Sequence, residues 1–599
     1  MTDYAPPLRD LRFVLDELAG LDGLTQTDRF GHVDADTVHM VVEEFGRFCA
    51  EVVAPTNTDG DTIMTRWSEG GVVTTPDSFK AVYRQIVEAG YAAIPFDPDF
   101  GGGGFPWVAA LATQELLTSA NMAFSLCNLL TQGAIDAIEH HGSDEQKAAY
   151  LPKMLTGEWS GTMNLSEPQA GSDVGAVATK AEPVGDGSYK ITGQKIWISY
   201  GEQDLSDNII HLVLARTPGA PPGTRGITMF LVPKFLVNPD GSLGERNDVR
   251  CVSIEHKLGL HGSPTCVMAY GDEGGAIGWP VGDEFTGMRN MFTMMNNARL
   301  SVGLEGLAVA ERAYQHSLAY AQERKQSTAP GGEKGVQSPI IDHADVRRML
   351  LTQRSWIDAL RYLVFVNGGC LDRSKSLADE AERRAERELA DLLIPLSKSM
   401  GTDVANELTS IAVQIFGGMG YVEETGAAQF MRDIRVAAIY EGTNGIQAAD
   451  LVGRKLPTRG GDVLGELLER FDDAADRLDD DPALARFADN LREGTAAVRE
   501  GAEWLLTHMP ENVNDGLAGS APFQRLAGTV VCAGFHAEAA LAAKAKLDAG
   551  AGNDTGFYEA KVVSAKFFGE QILPPAFGLL GAVTAGAADL FALSAEQLG

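Results

Sequence analysis

The chain is short of positive charge: 49 Lys and Arg stand against 82 acidic residues, a formal net charge of −33 at pH 7. Nucleic acid and anionic membrane surfaces are bound through basic faces, so this balance argues against a general binder of either. Cysteine is also scarce. Cys49, Cys127, Cys251, Cys266, Cys370 and Cys532 are scattered, with no CxxC pair and no histidine at ligand spacing. Reduced core thiols in a cytoplasmic protein are the reading, and no metal site is expected. No uninterrupted apolar run reaches the ~18 residues of a membrane span. The nearest, Ile572 to Ala588, is broken by Pro574-Pro575 and several glycines, so no stable membrane anchor is expected. The opening Met1-Thr2-Asp3-Tyr4-Ala5-Pro6-Pro7 is polar and lacks the basic region and apolar core of a secretory signal.

What is present is a long globular chain, 599 residues with 44% hydrophobic and 22% charged, enough for several domains. From Leu8 to about Met154 apolar residues recur at helical spacing, as in Leu11, Val14, Leu15 and Leu18. Gly101-Gly102-Gly103-Gly104 interrupts this stretch. It lacks the Lys-Ser/Thr that completes a phosphate loop and reads as a plain turn. Between Gly161 and about Pro280, short β-branched runs alternate with Gly, Pro, Asp and Asn clusters, the pattern of an antiparallel sheet domain closed as a small barrel or sandwich. The helical period returns at Gly282 and lasts to about Leu456, with Arg299 opening a long helix through Tyr320. It is interrupted by the loop Ser327 to Gly335. Pro457 to Gly461 reads as a linker before alanine-rich helices that also carry Asp472-Asp473 and Asp479-Asp480-Asp481. The fold class is α+β, mainly α. Its expected domains are a helical one at 1–158, a β-domain at 159–281, a helix bundle at 282–456 and an additional helical domain at 457–599.

Three stretches carry chemistry. In Ile439-Tyr440-Glu441-Gly442-Thr443-Asn444-Gly445-Ile446-Gln447 one carboxylate sits on a tight turn between helical stretches. Gly442 permits positive φ, and Thr443 or Asn444 can cap the following helix. Apolar neighbours would raise the pKa of Glu441, which suits a base that removes a weakly acidic C–H proton. The alternative is a Glu that caps the helix or pairs with Arg435. Met163-Asn164-Leu165-Ser166-Glu167-Pro168-Gln169-Ala170-Gly171-Ser172-Asp173 places the hydroxyls of Ser166 and Ser172 beside Gly171, where backbone can approach a planar ring or a pyrophosphate; it is otherwise a turn-rich loop. In Gly193-Gln194-Lys195-Ile196-Trp197-Ile198-Ser199, Trp197 and Ser199 are two apart on an apparent strand and face one side. The other reading of Trp197 is a core indole. Arg299 and the Glu323-Arg324-Lys325 cluster are candidate phosphate partners, or solvated surface charges.

The succession Gln414-Ile415-Phe416-Gly417-Gly418-Met419-Gly420-Tyr421, Met431-Arg432-Asp433-Ile434-Arg435 and Ile439 to Gln447 resembles the carboxy-terminal signature of the acyl-CoA dehydrogenases. The resemblance covers about Leu8 to Leu456. It implies an α-helical domain, a β-domain and a four-helix bundle, with FAD as cofactor and Glu441 as the catalytic base. By the same resemblance Met163, Leu165, Ser166, Gly171, Ser172, Trp197, Ser199, Gln414, Gly417, Gly418 and Thr443 contact the flavin, as does Arg324 across a subunit interface. Ser172, Arg299 and Gly442 contact the acyl-CoA. The implied reaction is α,β-dehydrogenation of an acyl-CoA thioester to the 2-enoyl-CoA, with an electron-transferring flavoprotein as acceptor.

There are two departures from the family pattern: Gln326-Ser327 replaces an aromatic and glycine that contact the flavin, and Gly445 replaces a longer polar side chain. The opening Tyr4 to Phe13, the Glu-Arg-Lys-Gln insertion, Glu441-Gly442-Thr443-Asn444-Gly445 and the extra carboxy-terminal domain are together most similar to members acting on 3-(methylthio)propanoyl-CoA. Medium- or long-chain acyl-CoA dehydrogenation, an acyl-CoA oxidase and a binding protein retaining only the fold are the other readings. The extra domain, placed where tetrameric relatives pair, implies a homodimer.

Overall fold

The computed structural model describes residues 3–599, with the side chain of Asn296 left aside. The chain divides into two compact units, Val41–Ser301 and Met1–Met40 with Val302–Gly599.

Within Val41–Ser301, helices α1 (Trp107–Ala120), α2 (Met122–His141) and α3 (Asp144–Thr156) lead into a sheet. Asn121 starts α2 by accepting from Phe124 N at 3.0 Å, and Ser143 with Gln146 forms a capping box on α3. The sheet strands are β1 (Trp159–Asn164), β2 (Lys180–Pro183), β3 (Tyr189–Ser199), β4 (Asn208–Ala215), β5 (Thr228–Pro233), β6 (Val249–Ile254), β7 (Thr265–Tyr270) and β8 (Ala276–Pro280). Their order is β6-β7-β3-β8-β5-β4-β1, with β2 paired to β3. One detail departs from the antiparallel expectation. β1 runs parallel to β4, which is possible because the chain between them crosses through two other strands instead of a hairpin. β1, β4 and β5 are buried along their whole length, as strands covered on both faces must be. Leu212, Leu214, Met229 and Leu231 pack with Ile135, Ile138, Leu151 and Met154 of α2 and α3 in one core; Val213, Phe230, Val232, Met268 and Tyr270 form another.

The tetraglycine is the turn expected of it. The N–H groups of Gly102, Gly103 and Gly104 donate to the carbonyls of Asp97, Ala93 and Phe96, which leaves none of the three for a phosphate.

The second unit is built on long helices: α4 (Gly287–Glu323, counted here from Val302), α5 (Ala344–Ser376) and α6 (Glu380–Phe416). The helix expected to open at Arg299 in fact begins at Gly287, because Met288 to Ala298 carry no breaker. Gly303 and Gly306 of α4 cross Gly401 of α6 so closely that a Cβ at position 306 would meet the Gly401 carbonyl oxygen at 2.0 Å. After a short α7 (Asn444–Asp450) come α8 (Asp462–Leu478), α9 (Ala485–His508), α10 (Val513–Asp548) and α11 (Thr555–Phe567). The expected linker is a short 3-10 turn, Thr458–Gly461, with Arg459 and Gly460 at positive φ. α10 packs against α5 and α6, so the carboxy-terminal helices join the bundle's own unit. By length and composition α10 could cross a membrane, a candidate that the broken 572–588 stretch had obscured, and 83% of its most apolar window is buried inside the protein.

A buried ionic cluster fastens these layers. Lys561 of α11 donates to Asp10 at 2.5 Å and to Asp358 of α5 at 2.8 Å. Arg354 meets Asp10 at 2.5 Å, and Ser564 donates to Asp358 at 2.8 Å.

Candidate active site

The sequence-predicted residues fall into two groups, one in each unit. In the first unit, Met163 is the penultimate residue of β1, and Leu165 to Ser172 form the loop that leaves it. This loop is closed on itself: Glu167 and Ala170 exchange backbone hydrogen bonds, each at 2.9 Å. The Ser166 carbonyl accepts from Ile196 N at 3.0 Å. Its organiser is a residue that sequence reasoning passed over. The Glu167 carboxylate, inside the loop, accepts from Ala178 N (2.8 Å), Thr179 N (3.1 Å), Thr179 Oγ1 (2.6 Å), Gln169 Nε2 (2.6 Å) and Lys195 Nζ (2.8 Å). Lys195 also donates to the Leu165 carbonyl at 3.0 Å. Side-chain exposure is 0% for Lys195 and 3% for Glu167. Burial pushes the Glu167 carboxyl up, but the Lys195 charge and the hydrogen bonds outweigh it and hold it at about 2. Burial brings Lys195 down to about 8 against the opposite pull of Glu167. At neutral pH both are ionised. A buried lysine on the same strand as the candidate flavin contacts was the available signal.

Trp197 and Ser199 flank the buried Ile198, so both lie on the side away from the core. The simple alternation along β3 nevertheless fails. Lys195 is buried while Trp197 is 58% exposed, because a β-bulge lies between the pairs Lys195–Met268 and Ile198–Cys266. At the bulge Trp197 takes a left-handed φ of 64°, a strained state for a bulky residue that marks functional positions. The indole is thus displayed, not a core tryptophan. Deeper in the sheet, Asn164 accepts from Tyr270 Oη at 2.8 Å and donates to Thr162 Oγ1 at 2.8 Å, which meets His211 Nδ1 at 2.7 Å. Burial lowers His211 to about 3, so the ring is neutral. Arg299, 4% exposed, lies two residues before the end of this unit's part of α4, with its guanidinium 5.9 Å from the Phe292 ring centroid.

In the second unit, Arg324 follows the last residue of α4, Gln414 lies in the last turn of α6, and Gly417 and Gly418 open the 3-10 turn that follows α6. The two helix ends are brought together by stacking of Tyr320 on Phe416, with ring centroids 4.1 Å apart and planes within 16°. The segment after Lys325 folds back as a hairpin: Gln326 N and Ile340 N donate to the carbonyls of Ser338 and Arg324, and Ser338 N to that of Ser327.

Glu441 occupies the predicted turn. Its φ is 55° and that of Gly442 is 83°, two successive left-handed residues. The strain is opposed on both sides. Thr443, not Asn444, caps α7, accepting from Ile446 N at 3.2 Å. Asn444 instead accepts from Lys398 Nζ at 2.8 Å and donates to Asp403 at 2.6 Å. Gln447, fully buried, donates to the carbonyls of Glu441 at 3.3 Å and Gly442 at 3.2 Å. On the other side Tyr440 donates to Glu305 of α4. Gln447 and Glu305 were not singled out from sequence; the former lay in the recognised string, the latter gave no signal beyond a lone Glu in an apolar helix.

Ser166, Ser172, Ser199, Arg324 and Gln414 share one feature. Among the described residues none of their side chains has a hydrogen-bond or ion-pair partner, whereas the supporting Glu167, Lys195, Asn164 and Asn444 are all engaged. In the first unit the Ser166, Ser172 and Ser199 hydroxyls and the open Trp197 indole, and in the second the Arg324 guanidinium and the Gln414 amide, are groups of the kinds that bind a flavin ring, ribityl chain and pyrophosphate. The residues present fit that cofactor.

Models of the acyl-CoA dehydrogenase amino-terminal, middle and carboxy-terminal domains match residues 35–158, 162–272 and 286–456, and one described as acetyl-CoA dehydrogenase C-terminal like matches 466–594. The chain belongs to the acyl-CoA dehydrogenase family, whose members are FAD-dependent oxidoreductases. It is 45% identical over 95% of its length to the 3-methylmercaptopropionyl-CoA dehydrogenase of Ruegeria pomeroyi, covering 96% of that protein. It is 36% identical to a butyryl-CoA dehydrogenase of Syntrophomonas wolfei, with 99% of each chain covered. An acyl-CoA dehydrogenase from Bacillus anthracis solved with FAD shares the fold at a TM-score of 0.73 and 20% identity, over 96% of this chain and 90% of that one.

Proposed function

We propose that this protein dehydrogenates an acyl-CoA thioester between its α and β carbons, with Glu441 as the base that takes the α proton. The observation that carries the reading is the strained turn at 441–442, pinned by Thr443 and Gln447 and by the Tyr440 contact. The turn fixes the point at which the Glu441 side chain leaves the backbone, and Thr443 does the capping of α7, which suits a general base. Thioester attachment makes the α C–H acidic, and hydrogen bonds to the thioester oxygen stabilise the enolate that develops. FAD, when bound, accepts the hydride that leaves the β carbon. Ser166, Ser172, Ser199, Arg324 and Gln414 would hold it, with Trp197 against its ring, while the Glu167–Lys195 pair fixes the loop that presents Ser166 and Ser172.

The substrate we favour is 3-(methylthio)propanoyl-CoA, supported by the 45% identity to the Ruegeria pomeroyi enzyme over nearly the full chain; short-chain acyl-CoA is the second reading, supported by the Syntrophomonas wolfei relative. An electron-transferring flavoprotein as acceptor, a homodimer and a cytoplasmic site of action complete the proposal. The test is anaerobic titration of purified protein with a panel of acyl-CoA thioesters, following flavin bleaching. The thioether substrate should bleach at the lowest concentration, and Glu441→Gln should bind without bleaching. Parental bleaching by Glu441→Gln would remove the base from position 441, and rapid peroxide formation in air would make the protein an oxidase.

A further inference from the structure

A second acid lies beside the base. Glu305, two residues after Gly303 on α4, is 0% exposed. It is placed there by the glycine crossing with α6, since Gly303 and Gly306 on either side of it leave the helices in backbone contact. Its surroundings are few and specific. Tyr440, covalently next to Glu441, donates to Glu305 Oε2, and Glu305 Oε1 is buried with no hydrogen-bond partner. The charged groups that face it are Glu441 on the turn and Lys398 on α6. Lys398 directs its Nζ at Asn444, 2.8 Å away.

A carboxylate with one phenol donor and an unpaired second oxygen is badly satisfied in a dry interior. A neutral carboxylic acid in the same place is tolerable, because its uncharged oxygens carry a far smaller desolvation penalty. Burial, opposed by the Tyr440 hydrogen bond and reinforced by Glu441, pushes Glu305 up to about 8. The acid is therefore protonated where Glu441 must be ionised to work. A carboxyl group kept neutral by burial, and joined through Tyr440 to the residue beside it, can stay a hydrogen-bonding prop while Glu441 acts as base.

We propose that Glu305 is a positioning residue for proton abstraction: in its neutral form it holds the Tyr440 phenol and so fixes the turn that carries Glu441, and its ionisation sets the alkaline limit of turnover. The proposal rests on Glu441 being the base. Loss of the Glu305 proton places a second anion against Glu441 and leaves an unsatisfied charge inside the helix crossing, so the turn is displaced.

The experiment uses the FAD-loaded enzyme and three variants. Glu305→Gln, a neutral hydrogen-bonding isostere, should keep kcat near pH 7 within about threefold and abolish the decline in kcat expected of the parent above about pH 8. Glu305→Leu, which keeps the burial without the hydrogen bond, and Tyr440→Phe, which removes its donor, should each lower kcat about tenfold or more with KM little changed. An alkaline limb unaltered in Glu305→Gln, or parental kcat in both Glu305→Leu and Tyr440→Phe, overturns the proposal. The neutral acid is read independently of catalysis by infrared difference spectra: between about pH 7 and about pH 9 the parent should lose a protonated-carboxyl band, and the difference spectrum of Glu305→Gln, which has no acid at that position, should lack that feature. Absence of that band refutes the neutral acid even if Glu441 is confirmed as base. If the band is present while Glu441→Gln remains active, it is the base assignment that falls.

Discussion

Lys195→Met cuts the pair that organises the loop from Leu165 to Ser172. The methionine fills similar volume, so packing is largely kept and the loss is electrostatic. Glu167 would stay at 3% exposure as a carboxylate, with four donors left from Ala178, Thr179 and Gln169. Removing one partner of a buried ion pair costs about 3–5 kcal/mol. The four remaining donors argue for the lower end, and the lost bond to the Leu165 carbonyl adds about 1 kcal/mol. For a unit of this size that is a fall of about 10 °C in its melting temperature.

The assay is thermal unfolding followed by tryptophan fluorescence, with bound flavin measured on the same samples. Flavin occupancy should drop with stability, since the loop loses its anchor. pH supplies the internal control. The folded pKa of Glu167 lies below its unfolded value, so its stabilisation is present above about pH 4.5 and is lost as pH falls toward about 2. The gap between parent and Lys195→Met should therefore close in acid. The double variant Glu167→Met with Lys195→Met removes both charges and should recover most of the melting temperature while leaving flavin binding weak. A melting temperature for Lys195→Met within about 2 °C of the parent at neutral pH would refute the reasoning.

Other consequences follow from the same accounting of strain and charge. Glu441→Gly should abolish turnover and raise stability by about 1 kcal/mol, because glycine accepts the left-handed φ that costs glutamate that much or more; equilibrium urea unfolding beside an activity assay checks both signs. Lys561→Met should destabilise the unit that contains α5, α10 and α11 by about 3–5 kcal/mol, since Asp10 and Asp358 lose the lysine that bridges them. Burial raises the Asp10 carboxyl, but the charges of Lys561, Arg354 and Arg361 hold it well below the usual range. This contribution too is present above the ordinary aspartate pKa and disappears only in strong acid, which a pH series of melting temperatures will show.

Periodicity and turn chemistry placed the helical and strand regions of the chain, and the strings around 163–173, 193–199 and 414–447 marked the family and the turn at Glu441. Those are local properties: a hydrophobic stripe, a glycine that permits positive φ and a threonine at a cap declare themselves within a few residues. The parallel pairing of β1 with β4, the bulge that displays Trp197 and the start of α4 at Gly287 were decided otherwise. Each depends on which neighbour a segment meets, and strand partners or helix crossings distant in sequence leave no periodic trace. The same holds for the residues that support the site. Glu167, Lys195 and Gln447 look like ordinary polar residues until their partners close around them, and Glu305 becomes an acid with a raised pKa only because Gly303, Gly306 and Gly401 draw two helices together and shut out water. Sequence alone therefore determined which groups the chemistry has available. Tertiary structure decided their charge and aim, because burial and long-range contacts set a side chain's proton affinity and fix its direction.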